Sequence, residues 1–153
     1  MRKIQSLTVS IAAISVMAGM SACSDDSDTG AVASGGEASV TVEGKALDLG
    51  SKTVACTEQA GRWVIAIGDS TTAGAGTGVG ATLTTGDNPE VEAVGLGSAG
   101  GQVLGWAKGT PGGEATATKD GKKYTITGNV TAIDTANPTA PSKKSFEIKV
   151  TCP

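Results

Sequence analysis

The chain contains no histidine, and that absence removes whole classes of function. Without an imidazole there is no side chain whose ordinary pKa lets it act as a general base near neutral pH, and zinc loses its commonest nitrogen ligand. Aromatics are scarce as well, with Trp63, Trp106, Tyr124 and Phe146 the complete set. A hydrophobic core must then be built largely from aliphatic and small side chains. Positive charge is not in excess: 12 basic side chains against 15 acidic ones give a net charge of −3. With no basic stripe on any segment, no nucleic-acid partner is expected. Cysteine is limited to three residues, and methionine to Met1, Met17 and Met20.

What is present begins at the N-terminus. Arg2 and Lys3 precede an apolar stretch from Leu7 to Met20, the length of a signal-peptide core and too short to span a bilayer as a helix. It ends in Met20-Ser21-Ala22-Cys23, small residues before a cysteine, the pattern that lipoprotein signal peptidase reads. Residues 1–22 are therefore expected to be a lipoprotein signal peptide, with Cys23 the lipidated first residue of the exported chain. The alternative is an ordinary secretory signal with a cysteine placed by chance. Met20 stands where leucine is commoner. Two acyl chains, at about 0.8 kcal/mol per buried CH₂, would anchor the protein to the membrane stably. Losing Arg2 and Lys3 leaves 10 basic side chains against the 15 acidic ones.

Three cysteines in an exported chain leave one to explain. If Cys23 is acylated, Cys56 and Cys152 remain as a pair, and export permits a disulfide between them. Two free buried thiols are the other reading.

Residues 23–37 are rich in Ser, Gly and Asp and lack periodicity, which predicts an acylated flexible tether. Asp25, Asp26 and Asp28 read as solvated spacer charge, since no further ligand pattern accompanies them. Residues 38–153 alternate apolar runs with turn signals and predict a mainly β domain, an antiparallel sheet or sandwich of about seven to nine short strands with one inter-strand disulfide. Trp63-Val64-Ile65-Ala66-Ile67 is apolar on both faces and reads as a central strand. Asp120-Gly121, between Ala115–Lys119 and Tyr124–Val130, is the sharpest hairpin signal. In the last strand Phe146, Ile148, Val150 and Cys152 alternate with Glu147, Lys149 and Thr151, so Cys152 shares the inward face. A short helical turn near 134–142 is limited by Pro138 and Pro141.

Several motifs invite chemistry that their surroundings do not supply. Ile65-Ala66-Ile67-Gly68-Asp69-Ser70 resembles the nucleophile block of GDSL-type hydrolases, but a Ser70-based hydrolase has no histidine to activate it and no lysine placed to substitute. The run Gly74-Ala75-Gly76-Thr77-Gly78-Val79-Gly80 fits neither the phosphate-loop pattern nor dinucleotide spacing. Glu90 and Glu92 share a strand face with nothing else to mark a catalytic pair. Lys122, Lys123, Lys143, Lys144 and Lys149 read as solvated strand-edge lysines rather than a binding patch. No enzyme, metal or cofactor is expected beyond the acyl chains on Cys23. Trp63 and Trp106 read as core or rim packing, and are the candidate ligand-binding residues if a cavity exists for a lipid or other small hydrophobic ligand; a tightly filled core would remove that reading.

These segments together resemble the mycobacterial 19 kDa lipoprotein antigen family, the LpqH-type lipoproteins. The resemblance is carried by Val54-Ala55-Cys56-Thr57, by Val94-Gly95-Leu96-Gly97 and above all by the C-terminal run ATATKDGKKYTITG, Asp134-Thr135-Ala136-Asn137-Pro138 and Lys144–Cys152. It implies an exported cell-envelope antigen, anchored on the extracytoplasmic face of the cell membrane through Cys23 and sensed there by host Toll-like receptor 2. It also places Cys56 and Cys152 on the family's two domain cysteines, and it carries the suggestion of hydrophobic-ligand transport. The family's tether carries glycosylated threonine clusters, whereas here the tether holds only Thr29 with three serines.

Overall fold

A computed structural model describes residues 33–68 and 78–153, and these form eleven strands and no helix. The strands are β1 (Ala33–Gly35), β2 (Glu37–Val42), β3 (Lys45–Ala46), β4 (Val54–Gln59), β5 (Arg62–Ile67), β6 (Val79–Thr84), β7 (Val91–Ala99), β8 (Gln102–Ala107), β9 (Glu114–Asp120), β10 (Lys123–Asp134) and β11 (Ser142–Thr151). Nine have six residues or more, in line with the expected number; β1 and β3 are fragments of three and two residues. All pairings are antiparallel, in the order β1-β4-β5-β6-β7-β8-β10-β11-β2-β3, with β9 on β10.

Alternation builds the elements. In β11 Phe146, Ile148 and Val150 are buried while Glu147 and Lys149 face outward, and Ile148 lies against Ile126 on one side and Val40 on the other. The Asp120-Gly121 hairpin forms as the sequence predicts: Asp120 pairs with Lys123 across a two-residue turn. Gly121 has φ +58° and Lys122 does not have a positive φ, the pattern of a type II′ turn, which requires glycine at its first central position. The bend at 135–140 is a turn rather than a helix, pinned by Asp134 Oδ1 accepting from the Ala136 N–H at 2.8 Å.

β5 is internal, between β4 and β6, as expected of a central strand, but only one of its faces is buried. Ile65 and Ile67 point inward while Ala66 is exposed. A curled sheet has a single inside, so the second apolar row of β5 meets solvent. Backbone pairing also begins before residue 38. β1 and β2 take in residues 33–35 and 37, which composition assigns to the tether. Strand hydrogen bonds are made by the backbone, so a Ser/Gly-rich stretch can pair without an apolar pattern to announce it.

That early segment closes the fold. β1 pairs with β4, β2 pairs with β11, and only Gly36 separates β1 from β2. The two ends of the sheet order are therefore joined by one nearly continuous strand, and the sheet curls until they meet. The disulfide Cys56–Cys152 crosses the same seam, with Cα atoms 5.9 Å apart and 96 residues between the cysteines. Among the described residues the core is entirely apolar apart from the sulfurs and the Tyr124 phenol, with no buried charged side chain.

Candidate functional site

The two tryptophans stand on inward-facing strand positions, Trp63 opposite Leu83 and Trp106 opposite Val94. They do not share a cavity. Trp63 lines a pocket of about 280 Å³ at the seam, where its ring stacks on Tyr124 with centroids 6.2 Å apart and planes at 21°. Glu58, Thr84, Lys122, Cys152 and Pro153 complete much of the wall. Trp106 lines a larger open groove of about 810 Å³ between residues 87–91 and β9. Its indole lies against the backbone at Gly113, where a Cβ would collide with the ring. Lys119 borders both spaces, its Nζ 3.4 Å from the Gly86 carbonyl oxygen and 3.9 Å from Asp87 Oδ1.

Both indole N–H groups are buried and have no hydrogen-bond partner among the described residues. Both rings also pack against the apolar core. Burial pushes the Tyr124 phenol above its ordinary value of 10.0, and the ring stays neutral at any physiological pH. The pocket is thus aromatic at its floor and charged at its rim. Tyr124 and Lys119 are the residues that sequence reasoning missed here. Tyr124 reads as core from its strand parity, and the position of Lys119 depends on a pairing 33 residues away in sequence.

The remaining sequence candidates fall as follows. Cys56 and Cys152 are joined to each other. Glu90 and Glu92 are each held by a cation, Glu90 by Lys108 at 2.6 Å and Glu92 by Arg62 at 2.5 Å. The hydrogen bond and charge of Lys108 hold the Glu90 carboxyl below its ordinary value, the opposite of what a proton donor needs. The five lysines form no single patch. Lys123 and Lys149 line one groove with Lys52, but Lys143 pairs with Thr131, about 27 Å along the sheet from Lys123. Lys149 is not an edge residue either, because β11 is paired on both sides there. Among the described residues there is no cluster of metal-ligating side chains and no helix long and apolar enough to cross a membrane. Cys23, Ser70 and residues 74–77 of the Gly-rich run lie outside the described residues.

Comparison with known proteins places this architecture. Residues 31–152 match the family described as Mycobacterium 19 kDa lipoprotein antigen. The chain is 45% identical to the lipoprotein LpqH of Mycobacterium tuberculosis H37Rv over 160 aligned positions, which cover 95% of this chain and 97% of that protein. It is 46% identical to the Mycobacterium avium lipoprotein LpqH over 74% of this chain and 66% of the relative. A putative lipoprotein of Mycobacteroides abscessus is 38% identical over 85% and 86% of the two chains. The family match covers every strand described above, and with it the seam disulfide and both tryptophan sites, so the chain belongs to the Mycobacterium 19 kDa lipoprotein antigen family.

Proposed function

We propose that this protein is an acylated lipoprotein antigen of the cell envelope, cleaved after residue 22 and anchored on the extracytoplasmic face of the membrane by lipid on Cys23. The observation that carries the reading is the cysteine assignment. The seam disulfide uses Cys56 and Cys152, which leaves Cys23, at the end of Met20-Ser21-Ala22, as the one cysteine free for acylation. Ten residue steps separate Cys23 from Ala33, the first paired residue among those described, so the domain sits at most about 35 Å from its anchor. The protein works without catalysis and without a cofactor other than its acyl chains, and it engages host Toll-like receptor 2 through the lipidated N-terminus. The absence of histidine and the ion-paired state of Glu90 and Glu92 support the non-catalytic reading.

Intact-mass analysis of membrane-extracted protein tests the anchor. A mass that begins at Cys23 and carries acyl chains supports it, and Cys23→Ser should then move the protein into the soluble fraction. An unmodified secreted chain overturns it. Receptor agonism is tested with a Toll-like receptor 2 reporter cell, in which the Cys23→Ser protein should lose the signal. A carrier role for a lipid or other small hydrophobic ligand is a second reading, supported by the stacked Trp63–Tyr124 floor of the seam pocket. It requires a ligand that co-purifies and is released on unfolding.

A further inference from the structure

Among the described residues β9 is hydrogen-bonded on one side only. It pairs with β10 and with no other described strand, and the run 114–119 lines the Trp106 groove without a gap. Successive residues of a strand point to opposite faces, so a groove bordered by every residue in turn lies along the strand's edge and not on either of its faces. The free groups follow from the hairpin. Asp120 and Lys123 close a two-residue turn and form a hydrogen-bonded pair, so Thr118, Thr116 and Glu114 also bond to β10. Ala115, Ala117 and Lys119 then direct their N–H and C=O groups into the groove, where no backbone hydrogen bond reaches them among the described residues. Edges of this kind are normally blunted by proline, a bulge or a covering segment. β9 has neither proline nor bulge, and its guard is Lys119, tied by its long contacts to Gly86 and Asp87.

We infer that the β9 edge is a docking site for an extended basic peptide segment of another protein, which adds to the sheet as an antiparallel strand. The charges select the occupant. The outer face of β9 reads Glu114, Thr116, Thr118, Asp120, all exposed, and neither acid has an ion-pair partner among the described residues. A partner strand with cations six residues apart sets one opposite each acid. Its alternate residues face Trp106 and Val91 and are apolar. A second copy of β9 fits less well: the one symmetric register that pairs the whole strand, centred on Ala117, sets Glu114 against Asp120, and like charges directly opposite are destabilising.

The test uses the 15N-labelled full chain in detergent and a blocked seven-residue probe, Lys-Val-Thr-Val-Thr-Val-Lys. The expected result is saturable binding that slows amide exchange at Ala115, Ala117 and Lys119 by about tenfold or more, weakens with added salt and is absent for the probe with Glu at both ends. Ala117→Pro removes one outward N–H at an edge position, where proline is tolerated, and should abolish the protection while the melting curve is kept. The same loss is expected when the central valine of the probe is N-methylated, which covers the case of a variant that does not fold. No protection at saturating probe overturns the inference, as does equal binding of the Glu-ended probe. Protection that appears with protein concentration alone assigns the edge to a second copy and also overturns it.

Discussion

Ala60 occupies a turn between β4 and β5 with φ +52°, followed by Gly61 at φ +74°. Two successive positive φ values make a type I′ turn, which favours Asn or Gly at its first central position, whereas alanine there is held in a region that L-residues avoid at roughly 1–2 kcal/mol. Ala60→Gly removes that strain at the cost of some unfolded-state entropy, and a net gain of about 0.5–1 kcal/mol is expected in a denaturant titration. Tyr124 gives a second prediction at this scale, and an unambiguous one because it is the only tyrosine. Its folded-state pKa is raised by burial, while in the unfolded chain the phenol ionises near 10.0. The unfolded state therefore loses its proton first, so stability is unaffected below pH 10 and falls as pH rises above it. Phenolate absorbance of the native protein should appear at higher pH than in the denatured chain, and coincident titrations would contradict the burial described.

At the scale of elements, the β9–β10 hairpin depends on Gly128. This residue faces Ala115, and a Cβ added to it would run into the Glu114 carbonyl oxygen and come within 2.8 Å of the Ala115 Cα. Backbone cannot rotate away as a side chain can, so Gly128→Ala should cost about 3 kcal/mol and loosen β9 before the rest of the sheet. The measurement is amide exchange, in which the β9 amides should lose protection first. β10–β11 behaves differently, because Ile126 and Ile148 are fully buried opposite one another. Ile126→Ala is expected to destabilise the whole domain by about 2–5 kcal/mol through the cavity it leaves. The hairpin and the last strand were legible in the sequence because each is local. A turn signal and a two-residue alternation fix parity within a dozen residues. β1 was not legible, since its pairing with β4 lies 20 residues away and uses backbone groups of Ala33, Ser34 and Gly35.

For the whole molecule, the decisive feature is the seam. Three residue pairs between β1 and β4, together with the disulfide, hold the two ends of the sheet order against each other. A cross-link over 96 residues restricts the unfolded chain by about 4–5 kcal/mol on the chain-entropy model. Replacing both cysteines with serine should lower stability by that order in a denaturant titration. Fluorescence should change with it, because Cys152 walls the pocket that holds Trp63. An unchanged midpoint would mean that β1 alone closes the sheet.

Composition and pattern by themselves determined the β class, the absence of histidine chemistry, the inward parity of Cys152 and the hairpin at Asp120-Gly121, because each rests on residue type or on neighbours along the chain. Only the tertiary structure decided that the sheet curls closed through Gly36, that Trp63 and Trp106 belong to separate sites, that Lys143 lies far from Lys123 and Lys149, and that one edge of β9 is unpaired among the described residues. Those properties depend on which strands meet across about 20 to 114 residues of chain, and local alternation carries no record of the partner.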